Sequence, residues 1–179
     1  METAYKEKLA RLADIILEWN EKINVTAIRD RGEFMKKNIE DSLAIMKLPE
    51  FSAADELGLE NVDVLNMRAE DLAKWPAYRE SFDLVVSRAV ANMSTLSEYC
   101  LPFVKKGGYF VAYKTREASA EIEAAAAAVR ILGGGPVRTE DGGSGDDGHI
   151  FAVVEKTGMT PRKYPRKAGL PSRQPLGTF

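Results

Sequence analysis

Few residues of this chain could do chemistry by themselves, and Arg88 is the first of them. It closes the otherwise apolar run "FDLVVSRAV". A guanidinium at the end of a buried strand must be paired or face a cleft, because burying it alone is expensive. Composition leaves both a strand-end ion pair and a ligand-facing arginine open. A second candidate is "NMRAEDL", Asn66–Leu72, at the carboxyl end of the apolar run "VDVLNM". In doubly wound sheets, ligands bind outside the carboxyl ends of strands. Glu70 and Asp71 also suit a helix N-terminus, where an acid gains about 0.3–1 kcal/mol against the dipole. The third feature is charge. From Lys156 onward there are six Lys or Arg and no acid, whereas residues 1–155 carry 19 basic against 27 acidic side chains, a balance of −8. A basic tail on an acidic body suggests an anionic partner met through the tail. Tyr164 and four prolines interleave the charges, which favours a nucleic acid over a merely solubilising end.

Other chemistries are excluded or weak. His149 is the single histidine, and no His, Cys or acidic partners stand at metal-ligand spacing, so no metal is expected. Cys100 is the single cysteine, which allows no internal disulfide and points to a reducing cytoplasm; its place on an apolar helix face marks it as core. No "GxSxG" elbow is present for a Ser/His/Asp hydrolase. The chain has 179 residues, 45% apolar and 29% charged, the composition of one soluble globular domain. No run reaches the length of a membrane span, and the charged N-terminus is no signal peptide.

These residues must be positioned by a recognisable set of elements. Leu9, Leu12, Ile16, Trp19 and Ile23 recur at helical spacing. Asp30 followed by Glu33 resembles a capping box opening a second helix with the stripe Met35, Ile39, Leu43 and Met46, ended near Pro49. Residues 1–48 are thus expected to form N-terminal helices, 55–155 an α/β core and 156–179 a basic tail, within a single domain. In the core, "VDVLNM", "FDLVVSRAV", "GGYFVAYK" and "HIFAVVEK" suit strands buried on both faces. "STLSEYCLPFV" and "REASAEIEAAAAAVRIL" between them suit helices, the second closed by Gly133–Gly135. Alternating strands and helices predict a mostly parallel sheet covered on both faces. "GGGPVRTEDGGSGDDGHIFAVVEK" predicts an antiparallel hairpin at one edge. Two glycines before "YFVAYK" are either a plain tight turn or the helix–"GG"–strand transition found in Rossmann-like methyltransferases.

Taken together, "WNEKINVTAI" (Trp19–Ile28), "EDSL" (Glu40–Leu43), "RAED" (Arg68–Asp71), "SRAVA" (Ser87–Ala91) and the tail "TPRKYPRKAGLPSRQPL" resemble the bacterial 16S ribosomal RNA (guanine-N7) methyltransferases, the glucose-inhibited division protein B family. The resemblance spans nearly the whole chain on both sides of residues 49–54. It implies a Rossmann-like class I methyltransferase sheet with an N-terminal helical preface. It implies a cytoplasmic enzyme that transfers a methyl group from S-adenosylmethionine to N7 of a guanosine in 16S rRNA or the small-subunit particle. By the same resemblance, Ala69 and Glu70 lie near the cofactor's adenine, and Arg88 lies beside both the cofactor and the target base as the catalytic arginine. Arg162, Lys163, Arg166, Lys167 and Arg173 would meet RNA. Such chemistry needs no general base, because N7 carries a free lone pair and no proton; orientation at about 3–3.5 Å suffices. N7 lies in the deep, narrow major groove of A-form RNA, so the guanine must be exposed in a loop.

One departure is large. The family carries a strand, a "GxGxGxPG"-type loop, a helix and a second strand between its "DSL" helix and "ELGL". Here Ile45 is followed by "MKLPEFSAADELGL", and about 40–50 residues holding the cofactor loop and the ribose-binding acid are missing. Before Gly107 only Gly32 and Gly58 occur, and neither follows a strand. The sheet is therefore expected to lack its first strand, first helix and second strand. The same missing glycines exclude an NAD-binding dehydrogenase. A second departure is Asn38, where the family usually has histidine. Beside a methyltransferase, the sequence admits a non-catalytic RNA-binding or interaction protein on a degenerate methyltransferase scaffold, or an inactive, internally deleted relict.

Overall fold

The computed structural model describes residues 7, 10–11, 13–18, 21, 29–36, 65–88, 90–142 and 149–177. The chain divides into two compact units, Met1–Leu48 and Pro49–Phe179.

In the first unit the Asp30 cap is real. Its Oδ1 accepts the Glu33 N–H at 2.8 Å and opens helix α1, Arg31–Phe34, satisfying one of the donors that a helix start leaves unpaired. Phe34 and Ala13 are buried, with Ile16, Leu17 and Met35 packed against them. On the surface the Arg31 guanidinium sits 2.5 Å from Asp14 and holds its carboxyl below the usual carboxylate range. The stripe positions Leu9, Leu12, Trp19, Ile23, Ile39, Leu43 and Met46 lie outside the described residues. So do Asn38, "EDSL" and all of "WNEKINVTAI" but Glu21.

The second unit carries the sheet. Its elements are α2 (Ala69–Leu72), β1 (Phe82–Arg88), α3 (Met93–Cys100), β2 (Val104–Thr115), α4 (Ser119–Ala124), α5 (Ala126–Ile131), β3 (Gly134–Asp141), β4 (His149–Lys156) and α6 (Leu170–Arg173). The strand order is β1-β2-β4-β3. β1 runs parallel to β2, joined through α3, while β4 is antiparallel to both β2 and β3. The α/β sheet and the edge hairpin form as expected, but among the described residues only the β1–β2 pair is parallel, so the sheet there is mixed and not mostly parallel. Asn92 starts α3 by accepting the Thr95 N–H at 3.0 Å. One sheet face, with Phe110, Ala112, Ala152 and Val154, packs on Met93, Leu96 and Leu101 and on Ile122, Val129 and Leu132. Each large side chain so buried is worth roughly 1.5–3 kcal/mol. Cys100 lies in this core, and burial pushes its thiol up to about 12.

Four expectations are corrected in detail. Only β2 and β4 are buried on both faces; on β1, Phe82 and Val86 are 40% and 42% exposed, because among the described residues β1 has a neighbour on one side only. The two glycines do not precede β2 but sit inside it: the register jumps between Phe82↔Val104 and Leu84↔Tyr109, and Gly107 takes the left-handed φ of 84° that this bulge requires. The alanine-rich helix is broken at Ala125, whose N–H divides between the Glu121 and Ile122 carbonyls and tightens the turn. In "VDVLNM", Leu65, Asn66 and Met67 form no strand, and Val62–Val64 lie outside the described residues.

Candidate functional site

At the carboxyl end of β1, Arg88 stands opposite Tyr113 of β2. Its guanidinium lies 5.7 Å from the centre of the Tyr113 ring, a cation–π distance. Phe151 holds that ring edge-on, 4.8 Å away and 89° inclined. Arg88 is half-buried, so the strand-end charge has an aromatic partner and one side toward solvent. The next residue of β2, Lys114, reaches across to the Ala91 carbonyl at 2.8 Å and to Glu121 Oε1 at 2.7 Å. The same Glu121 oxygen accepts the Met93 N–H at 2.5 Å. One ion pair thus pins the segment that follows Arg88. Sequence reasoning missed Lys114 and Glu121, although Lys114 repeats the signal of Arg88: a cation closing an apolar strand.

Glu70 sits in α2 and is buried. Its Oε1 accepts the Gly169 N–H at 3.0 Å. Ala69 beside it is half-buried, and Asp71 is exposed and paired with Lys74 at 3.2 Å. The partner of Glu70 lies in the basic tail, which is a folded strap fastened at several points. Arg79 donates to the carbonyls of Tyr164 at 2.9 Å and Thr160 at 2.8 Å. Glu80 accepts the Thr160 N–H at 2.7 Å. Thr95 Oγ1 donates to the Pro171 carbonyl at 3.0 Å. Arg166 clasps the fully buried Glu98 through Nε, 3.0 Å from both oxygens, and Nη2 at 2.7 Å, and its backbone N–H adds a further bond at 2.7 Å. Of the five tail cations expected to meet RNA, Arg162, Lys163, Lys167 and Arg173 are exposed, while Arg166 is committed to Glu98.

The strap begins at a buried ammonium. Lys156 donates to the Leu101 carbonyl and to Thr160 Oγ1, both at 2.6 Å, with Glu80 at 3.3 Å. Burial lowers its pKa to about 8 from 10.5, against the pull of Glu80. Between those values the unfolded chain binds the proton and the folded chain releases it, so this group makes stability rise with pH. Cys100 acts in the opposite sense above pH 9, because its folded form keeps the proton up to about 12. Urea midpoints measured from pH 7.5 to 9 are therefore expected to climb more steeply for the native chain than for Lys156→Met. Parallel curves would refute the assignment.

A nucleotide-type cofactor needs a side-chain-free turn at a strand's carboxyl end for close backbone approach. Among the described residues no glycine turn follows a parallel strand there, and Glu70 is engaged by the strap. The described residues therefore do not build that cradle. Nor do they contain a cluster of His, Cys, Asp or Glu able to hold a metal, or a helix long and apolar enough to cross a membrane.

A family model described as rRNA small subunit methyltransferase G matches residues 51–147. Ribosomal RNA small subunit methyltransferase G of Moorella thermoacetica is 35% identical over 207 aligned residues, covering 90% of this chain and 86% of its own. The protein of that name from Clostridium tetani is 36% identical over 210 residues, with 90% and 87% covered. That from Lactococcus lactis subsp. cremoris is 36% identical over 216 residues, with 95% and 90% covered. Nine-tenths of 179 residues is about 161, so about 46 of the 207 aligned positions of the Moorella protein face no residue of this chain. At this identity over this length, the chain belongs to the rRNA small subunit methyltransferase G family.

Proposed function

We propose that this chain serves the methylation of small-subunit ribosomal RNA, with S-adenosylmethionine as methyl donor and N7 of a guanosine as acceptor. The observation that carries the reading is the family match across nine-tenths of the chain. In this reading Arg88, held over Tyr113, faces the target base as the catalytic arginine. Ala69 and Glu70 flank the cofactor, and Arg162, Lys163, Lys167 and Arg173 meet phosphates. Arg166 serves the strap instead.

A second reading has its own observation. About 46 aligned positions are missing, and the described residues do not build the cradle. In that reading the chain binds the RNA and does not methylate it. Calorimetric titration of S-adenosylmethionine separates the two, followed by incubation with tritiated cofactor and small subunits lacking the modification. Label in 16S rRNA, with borohydride- and aniline-induced cleavage at one guanosine, supports the enzyme. Absence of cofactor binding at millimolar concentration, with RNA binding retained, supports the second reading. Both share one expectation. Replacing Arg162, Lys163, Lys167 and Arg173 by alanine should flatten the salt dependence of RNA binding by about 0.7 log units per lost single-strand contact, and an unchanged slope would remove the tail from the interface.

A further inference from the structure

At the opposite end of the sheet from Arg88, the segment entering β1 carries a run of aromatic rings. Trp75 and Tyr78 have centroids 6.3 Å apart, Tyr78 and Phe82 are stacked at 6.2 Å and 25°, and Phe82 meets Phe103 edge-on at 6.2 Å. Trp75 is 49% exposed and Phe82 is 40% exposed. Large aromatic faces left in water at the start of a strand are unusual in a monomer unless something covers them. The charge around them suggests what does. Arg79, next to Tyr78, holds the carbonyls of Thr160 and Tyr164, so Arg162 and Lys163 of the strap lie beside the turn that bears the rings. On the other flank, Ser81 donates to the Phe103 carbonyl at 3.0 Å, which brings the start of β2, with Lys105 and Lys106, alongside. Lys74 and Lys105 are matched by Asp71 and Asp83. Lys106, Arg162 and Lys163 are exposed, and Lys163 lies 5.3 Å from the centre of the Tyr164 ring.

Exposed aromatic planes flanked by exposed cations are the parts of a stacking platform for single-stranded nucleic acid, in which the rings take the bases and the cations follow the backbone. We propose that Trp75, Tyr78 and Phe82, with Lys106, Arg162 and Lys163, form a second RNA-binding surface that stacks unpaired bases at the amino end of the sheet. It deepens the RNA-binding part of the proposed function and rests on it: the substrate is gripped both beside Arg88 and at the far end of β1, which suits an RNA with a single-stranded stretch next to the target.

Trp75 reports directly on this surface. The chain has two tryptophans, Trp19 and Trp75, so the Trp19→Phe variant leaves Trp75 as the sole indole. Titration with a ten-nucleotide oligouridine should quench and saturate its emission, and an equal duplex RNA should not. Fluorescence anisotropy of a labelled oligouridine should show affinity falling about tenfold in Trp75→Ala and nearly as far in Trp75→Leu, which keeps apolar area but loses the plane. If anisotropy reports tight binding while Trp75 emission stays constant, the surface is overturned and the tail-based RNA reading survives. If no variant and no native chain binds RNA at all, that reading fails too. If emission changes with protein concentration alone and sedimentation shows a dimer, the rings serve self-association and the proposal is wrong.

Discussion

Replacing Glu98 by alanine is expected to lower the stability of the second unit by about 3–5 kcal/mol, because it strips the largely buried Arg166 guanidinium of its counter-charge and its backbone N–H of an acceptor. For a unit of this size that is a fall of roughly 10 °C or more in melting temperature. The carboxylate is fully buried and takes four contacts from one residue, three from the guanidinium and one from the backbone. Glu98→Gln keeps the volume and part of the bonding and should fall between. The pair Glu98→Leu with Arg166→Met should recover part of the loss, since a buried ion pair exchanged for packed apolar groups is often neutral, while the backbone N–H at 166 still loses its acceptor. A drop of less than about 1 kcal/mol in Glu98→Ala would show that the strap is held mainly by its other contacts.

Gly133→Ala is expected to cost at least about 3 kcal/mol, combining a left-handed conformation with a backbone collision. Gly133 has φ 86°, and a Cβ there would lie 2.7 Å from the Gly158 carbonyl carbon and 3.0 Å from the Met159 oxygen. Its own carbonyl accepts the N–H groups of Thr157 and Gly158 at 2.9 and 2.8 Å. This is the point where the end of α5 meets the root of the strap. Gly107→Ala provides the comparison. Its φ is 84°, but nothing lies within 4 Å of the added atom, so only the conformational penalty of about 1–2 kcal/mol applies. Equal losses in the two variants, measured by urea unfolding, would show that the collision relaxes freely.

Much of the second unit was legible because its signals are local. The apolar runs that became β1, β2 and β4 and the loop-linked hairpin each lie within a few residues of their evidence, as does the Asp30 cap in the first unit. The break at Ala125 left no mark, because alanine suits both the helix and the tightened turn. The bulge at Gly107 was read as a turn before the strand, since a glycine pair signals positive φ without saying which side of the strand it serves. In the site, the cation at the end of an apolar strand pointed to Arg88, yet its aromatic partner stands on a neighbouring strand. Arg166 was placed with the RNA contacts because its acid partner is 68 residues away in sequence. Charge counts register a basic tail but not which of its cations are already matched.

The strand order also governs how this unit can be made. β4 lies between β2 and β3, yet it is the last of the described strands to be synthesised. Until it emerges, β2 presents an unpaired edge of valine and aromatic residues, the kind of edge that recruits other chains. At about 5–20 residues per second, the stretch from Arg116 to Gly148 keeps that edge open for roughly two to seven seconds on every nascent chain, and the strap can close only after it.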